Sequence, residues 1–327
     1  MESYALMKRL SNMLILLISL FILLLSCKGK KQENSQSLRS FPSAGIPQLL
    51  SDDDERLEWM TMHLWDRFLD TASFYGSDSL RLNGVAKDEV EKQMGTFVTL
   101  LENIPGDKAR SAVGRAFSLA EAFSTVHPDS GLLEDFAELF RKYVYDPASP
   151  VRDEELWLAF VEPLLASPLA KAEMRGSREW EKKVCSMNRP GTKAPDFAFT
   201  ELSGRRNSLY GVKADYTVLI FGNPDCNACR GLVEAFRGNP QIGGLISSGA
   251  LKVVDIYIDE DVEAWKAAGE GYPKEWINGY DHLRRINSDR IYAVRGIPSV
   301  YLLDKNKTIL LKDAPEDRLL AFLAGLQ

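Results

Sequence analysis

Cysteine and histidine are both scarce in this chain of 327 residues, four of the first and three of the second. So few thiols exclude a small scaffold stapled by disulfides. The scattered His63, His127 and His282 supply no metal-ligand spacing. Positive charge is not in excess: 40 Lys and Arg against 46 Asp and Glu give a formal net charge of -6. That balance speaks against a phosphate-backbone footprint, and so against nucleic acid as a partner. Apolar residues at 45% exclude a disordered chain, and no clean repeat of about 34 or 40 residues is present. Long apolar runs are missing too. The longest, 14–25, is broken by Ser19 and falls short of the roughly 20 residues a bilayer-spanning helix needs.

That short run is informative in its setting. Lys8 and Arg9 precede it, and Leu24-Leu25-Ser26-Cys27 closes it, the layout of a secretory signal rather than of structure. The small residue directly before Cys27 resembles a bacterial lipobox. This predicts a signal peptide over 1–26 and lipid attachment at Cys27; an uncleaved signal anchor and an ordinary cleavage site are the other readings. Cleavage would remove Glu2, Lys8 and Arg9, leaving the mature chain near -7. Residues 27–48 begin polar and aperiodic and predict a flexible tether. The chain is thus expected in the bacterial cell envelope, lipid-anchored and facing the periplasm, where thiols can oxidise.

Two kinds of patterning follow. Over 49–187 the apolar residues recur at helical spacing. Leu132, Leu133, Phe136, Leu139, Phe140, Tyr143 and Val144 form one stripe, and Leu156, Trp157, Phe160, Val161 and Leu164 another. About six helices are predicted, their aromatic stripes serving as core. Asn188-Arg189-Pro190-Gly191 marks a boundary. Over 188–327 short β-branched and aromatic runs at 216–221, 251–258 and 299–303 predict strands. A turn at 304–307 returns a hairpin partner over 308–311, and a helix closes the chain at 315–326. Strands alternating with helices predict an α/β sheet covered on both faces.

Directly after the 216–221 strand lies Gly222-Asn223-Pro224-Asp225-Cys226-Asn227-Ala228-Cys229. A C-x-x-C opening a helix places the first thiol where unpaired backbone N–H groups and the helix dipole favour thiolate. The second thiol sits one turn inside, within reach of a mixed disulfide formed at the first. Downstream, Gly296-Ile297-Pro298-Ser299-Val300 sets a proline immediately before a strand, a natural site for a cis bond.

Strand, C-x-x-C helix, Ile-Pro before a strand, and a strand-turn-strand-helix ending together resemble the thioredoxin fold. The stretch 191–209 resembles the entry hairpin of the TlpA/ResA-like thiol-disulfide oxidoreductases. The likeness covers about 190–327. The helical part resembles a domain of unknown function found ahead of such domains in bacterial lipoproteins. The resemblance implies a redox pair at Cys226 and Cys229, a cis Pro298, and an Ile297 whose backbone receives the substrate chain. It implies a disulfide-exchanging enzyme acting on exported protein thiols or disulfides with an electron-transfer partner, needing no cofactor. The sequence departs from the family at Asp225, where Trp is usual and a carboxylate works against the helix dipole. The positions where the family's assisting acid would fall hold Ile220 and Leu232, leaving Asp225 and Glu234 as the acids nearest in sequence.

Other chemistries fit less well. One C-x-x-C gives zinc two of its four ligands. A peroxidase would need a Thr shortly before Cys226, and copper delivery a C-x-x-x-C. The rival from another class is a redox-inactive thioredoxin-like scaffold whose helical domain recruits a partner. Cys185 is expected as a small buried residue. Trp265, Trp276 and Tyr280 are expected as packing rather than groove, and His282 as a surface residue.

Overall fold

A computed structural model describes residues 38–326. The expected signal peptide and Cys27 lie outside the described residues. Arg39–Gln327 hold together as one compact unit, within which a helical layer and a sheet layer each have their own core.

The helical layer comprises α1 (Asp53–His63), α2 (Lys87–Glu102), α3 (Gly106–Val126), α4 (Leu132–Val144), α5 (Glu154–Ala166) and α6 (Arg175–Cys185). Their starts follow the local chemistry. Asp52 caps α1 by accepting from the Glu55 amide at 3.0 Å, and Asp53, Asp54 and Glu55 crowd its positive end. Asp153 caps α5 by accepting from the amides of Glu155 and Leu156. Both predicted stripes are largely buried, and their aromatics interlock: Trp65 meets Phe136 edge-on at 4.8 Å, and Phe140 meets Phe160 at 5.3 Å. Each such ring buried contributes on the order of 2 kcal/mol.

Two expectations for this half need correcting. The stretch is not helical throughout, because β1 (Arg81–Leu82) and β2 (Val85–Ala86) form a small hairpin. Its turn is Asn83-Gly84, both at positive φ (47° and 76°), the dipeptide a tight hairpin favours. Asn83 then locks the hairpin inward, donating to the Phe68 carbonyl at 2.6 Å and accepting from the Tyr75 amide at 3.0 Å. The expected tether over 27–48 is also too long. The Phe41 ring packs on Trp65 and Phe68 at 5.6 and 5.1 Å, and Arg39 donates to the Asn83 carbonyl at 2.8 Å. Residues 39–41 thus belong to the helical layer.

The second layer is a seven-stranded sheet in the order β4-β3-β7-β6-β5-β8-β9. The strands are β3 (Ala198–Glu201), β4 (Arg206–Ser208), β5 (Tyr216–Gly222), β6 (Leu251–Tyr257), β7 (Ile277–Tyr280), β8 (Ser299–Asp304) and β9 (Ile309–Lys312). Central β5 runs parallel to β6 and antiparallel to β8. Side chains alternate between two cores, as the period of two requires. Leu219, Phe221, Val254, Ile256, Tyr301 and Leu303 fill one face; Val218, Ile220, Leu251, Val253, Val300 and Leu302 fill the other. Helices α7 (Asn227–Arg237), α8 (Pro240–Ser248) and α11 (Glu316–Ala324) cover the second face through Leu232, Phe236, Ile242, Leu319 and Leu323. Short helices α9 (Val262–Ala267) and α10 (Arg285–Ser288) lie between strands. Strand β7 is an addition to the sequence reading. It includes Gly279, where a Cβ would come within 2.6 Å of the Phe199 ring, so close packing there demands glycine.

The layers are joined through Glu154 at the start of α5. It pairs with Arg295 and with Lys312, each at 2.6 Å, and all three side chains are buried. These are close charge contacts, since neither the carboxylate oxygens nor Arg295 Nε has an aligned hydrogen bond. Lys312 also donates to the carbonyls of Val184, Cys185 and Met187 at the end of α6, where helix carbonyls lack internal partners.

Candidate active site

The site begins where β5 runs out at Gly222. The Asn223 carbonyl accepts from the Cys226 amide at 3.1 Å and its side chain from the Asp225 amide at 2.9 Å. This closes a turn that delivers Cys226 to the N-cap of α7. Its sulfur does the capping, accepting from the Cys229 amide at 3.1 Å. That contact satisfies one of the N–H groups that the first turn of a helix leaves unpaired. Cys226 and Cys229 are both free thiols with partial solvent access.

The second part arrives from 71 residues away. The Ile297–Pro298 peptide is cis, the expected isomer, and the Cys226 thiol donates to the Ile297 carbonyl at 3.5 Å. Asp313 fixes the strand that follows, accepting from the Ser299 hydroxyl at 2.7 Å and the Val300 amide at 3.0 Å. Burial, with Glu154 nearby, pushes its carboxyl up to about 6. Ile297 remains exposed beside the cysteine. The structure therefore brings Cys226, Cys229, Ile297 and Pro298 to one place.

Behind the pair lies a residue that the sequence reading passed over. The Cys229 thiol is pushed up to about 12, by burial first and then by its bond with Cys226. Giving up its proton is therefore costly for it without help. A cavity of about 370 Å³ beside it is lined by Ile220, Arg230, Asp255, Tyr272 and Trp276. Gly222 separates the two groups of interest: a Cβ there would sit 3.5 Å from both the Cys229 sulfur and an Asp255 carboxylate oxygen. Asp255 keeps some solvent access along the cavity, yet protein atoms surround its carboxyl and desolvation pushes it up to about 7. A carboxyl tuned to neutrality is suited to taking and returning a proton.

The signal for Asp255 was a carboxylate inside an otherwise apolar buried strand, Val253-Val254-Asp255-Ile256. In register it sits opposite Ile220, one of the two positions where the resemblance would put the assisting acid. The acid lies one strand sideways. Asp225 and Glu234, the acids nearest in sequence, are exposed, and Glu234 pairs with Arg237 at 3.0 Å.

The remaining expectations divide. Cys185 is fully buried in the helical core, and burial pushes its thiol far up. Trp265 is packed against Tyr257 and Tyr280. Trp276 packs on Phe236 but also lines the cavity beside Cys229. His282 shares a hydrogen bond with Thr200 at 3.1 Å.

Comparison with known proteins agrees with both halves. A family described as a domain of unknown function (DUF5106) matches residues 25–178. A thioredoxin-like protein from Bacteroides caccae is similar over 89% of this chain and 100% of its own, at 31% identity and a TM-score of 0.77. The C-terminal domain of an uncharacterized Bacteroides fragilis protein is 44% identical, covering 42% of this chain and 98% of its own, with a TM-score of 0.41. A domain of a possible thiol-disulfide isomerase from Cytophaga hutchinsonii is 26% identical over 42% of this chain and 92% of its own, with a TM-score of 0.36. No curated protein matches the sequence.

Proposed function

The chain belongs to the thioredoxin-like proteins, and on that premise we propose that it exchanges disulfides with exported proteins through Cys226 and Cys229. The observation that carries the reading is the Cys226 sulfur, held 3.1 Å from the Cys229 amide and 3.5 Å from the Ile297 carbonyl. A nucleophile, its resolving partner and a docking edge for a client backbone thus share one point.

The steps balance as follows. The Cys226 thiolate attacks one sulfur of a client disulfide. That S–S bond breaks, the first client thiolate leaves, and a mixed disulfide joins Cys226 to the client. Cys229 then gives its proton to the Asp255 carboxylate and attacks the Cys226 sulfur. The second client thiolate departs and takes up a proton. Two electrons pass from the protein dithiol to the client; run backwards, the same steps oxidise a client dithiol. The electron-transfer partner sets the direction.

Substituting Cys229 by Ser leaves Cys226 able to attack and unable to be released. In its own cell envelope Cys229→Ser is expected to accumulate mixed disulfides that Cys226→Ser does not. Equal, empty captures from both variants would sink the exchange reading. A reduction potential for the pair far below the ambient poise would favour the redox-inactive scaffold instead.

We also propose that the chain acts at a membrane surface through lipid at Cys27, because Ser26-Cys27 closes a short apolar run. Among the described residues no helix is long and apolar enough to cross a membrane. Labelled lipid is expected on the wild type and absent from Cys27→Ser; label retained by the variant would refute the anchor.

A further inference from the structure

The helical layer reaches the redox site. The turn between α4 and α5, residues 145–153, runs alongside the loop that carries Ile297 and Pro298: a Cβ on Gly296 would be 3.9 Å from the Pro147 ring. Between them opens a groove of about 440 Å³. Pro147 and Ala148 line it from the helical layer, and Ala228, Leu232, Ile297 and Pro298 from the thioredoxin-like layer. Ala228 stands between the two cysteines, so the groove leads to the reacting sulfur.

The turn is braced on both sides. Arg295 donates to the Tyr145 carbonyl at 2.6 Å, with its guanidinium 4.4 Å over the Tyr145 ring. Arg152 donates to the carbonyls of Asp313 at 2.8 Å, Ala314 at 3.3 Å and Ser149 at 3.2 Å. These bonds also hold three of the charges that border the groove: Arg295 is paired with Glu154, Arg152 is spent on carbonyls, and Asp313 is held by Ser299 and Val300; the fourth, Glu316, is exposed at its rim. Between these charges the groove offers a ligand the apolar surfaces of Pro147, Ala148, Leu232, Ile297 and Pro298.

We propose that this turn of the helical layer is part of the client site, where Pro147 and Ala148 select an apolar side chain flanking the client's reactive cysteine. The inference rests on the disulfide-exchange reading and names what that exchange would prefer. The occupant is an extended client segment. Gly296 and Ile297 are exposed, and among the described residues their amides have no backbone partner, leaving them for a passing chain. A groove of about 440 Å³ holds one or two side chains and excludes a folded body. A leucine there would shed water against five or six apolar residues, whereas a glycine would leave the groove wet and a carboxylate would be desolvated beside the like charge of Glu316.

The test uses the full chain and short peptides with one cysteine, supplied as mixed disulfides with glutathione. One set has Leu on both sides of the cysteine, another Gly, a third Asp. Wild type is expected to show a kcat/KM about 10-fold higher for the Leu peptide than for Gly or Asp, the scale on which an apolar pocket discriminates. Ala148 is exposed, so Ala148→Trp can fill the groove without disturbing the core. It should bring the Leu-to-Gly ratio close to one, mainly through KM, while Ala148→Ser keeps the wild-type ratio. An unchanged ratio in Ala148→Trp, or no Leu preference in wild type, overturns the proposal. Hydroxyethyl disulfide, too small to use the groove, separates the two levels. If wild type turns it over but shows no peptide preference, only the role of the turn is lost. If wild type turns over neither substrate, exchange itself is lost and the turn's role with it.

Discussion

Asp255 concentrates the chemistry of the site at the scale of one side chain. Its carboxyl is about half ionised near pH 7, so resolution by Cys229 should slow as pH falls below 7 and the acceptor fills. Asp255→Asn is expected to lower the resolution rate by about 100-fold, the lower end of the usual contribution of a positioned acid or base. It should also erase the inflection near pH 7 in single-turnover kinetics. An inflection that survives in the variant would assign it to another group. Stability should move the other way. The group's folded value is raised above its unfolded one, so the unfolded chain ionises first as pH rises. The stability this group contributes is therefore full below about pH 4 and declines as pH rises through about 7. The shift is worth up to roughly 4 kcal/mol, and Asp255→Asn should unfold at higher denaturant than wild type at pH 8, with a smaller difference at pH 4. No gain at pH 8 would argue that the carboxyl is better solvated than its surroundings suggest.

At the scale of elements, the hairpin at 81–86 shows how much hangs on one turn. Gly84 has φ 76°, and a Cβ there would meet the Tyr75 Cβ at 2.5 Å. Gly84→Ala is expected to cost more than about 1 kcal/mol and to loosen Arg39 and Phe41, which dock around Asn83 and Phe68. Chemical denaturation would measure the first effect, and faster amide exchange at Leu82 and Val85 the second. Neither change would show the turn to be incidental. The elements also show what can be read from sequence. Helices α4 and α5 were legible because a stripe every three to four residues is a local property. So were β5, β6, β8 and β9, as apolar runs between turns. The Asn83-Gly84 signal was present and lost in a surrounding helical pattern. Strand β7 gave no signal, since Gly279 is required by a Phe199 that only the sheet brings near. The site divides likewise: Cys226 and Cys229 announce themselves by spacing and Pro298 by its place before a strand. Asp255 depends on which strand lies beside β5, a relation that no local window contains.

At the scale of the molecule, the decisive group is the buried Glu154 with Arg295 and Lys312. Its members come from α5, the proline loop and β9, more than 140 positions apart in the case of Glu154 and Arg295, so nothing in the sequence pairs them. A buried charge left without its partner is costly. Glu154→Gln leaves two buried cations on carbonyl partners with no counter-charge and is expected to destabilise the whole unit by about 3 kcal/mol. It should also expose the 186–195 segment between the layers to protease before global unfolding. Loss of less than about 1 kcal/mol, within the range of an exposed pair, would mean that water reaches the triad.

Lys312 carries this point beyond energetics. Its ammonium group sits on the carbonyls that end α6 while contacting a carboxylate at the start of α5, so one residue of the last strand reads two helices of the other layer. A gene that traded its helical half for that of a distant relative would have to import a matching carboxylate and helix end. The recombinant would otherwise inherit a cation with nowhere to go. Such a lock makes the two halves poor material for shuffling, and predicts that they descend together.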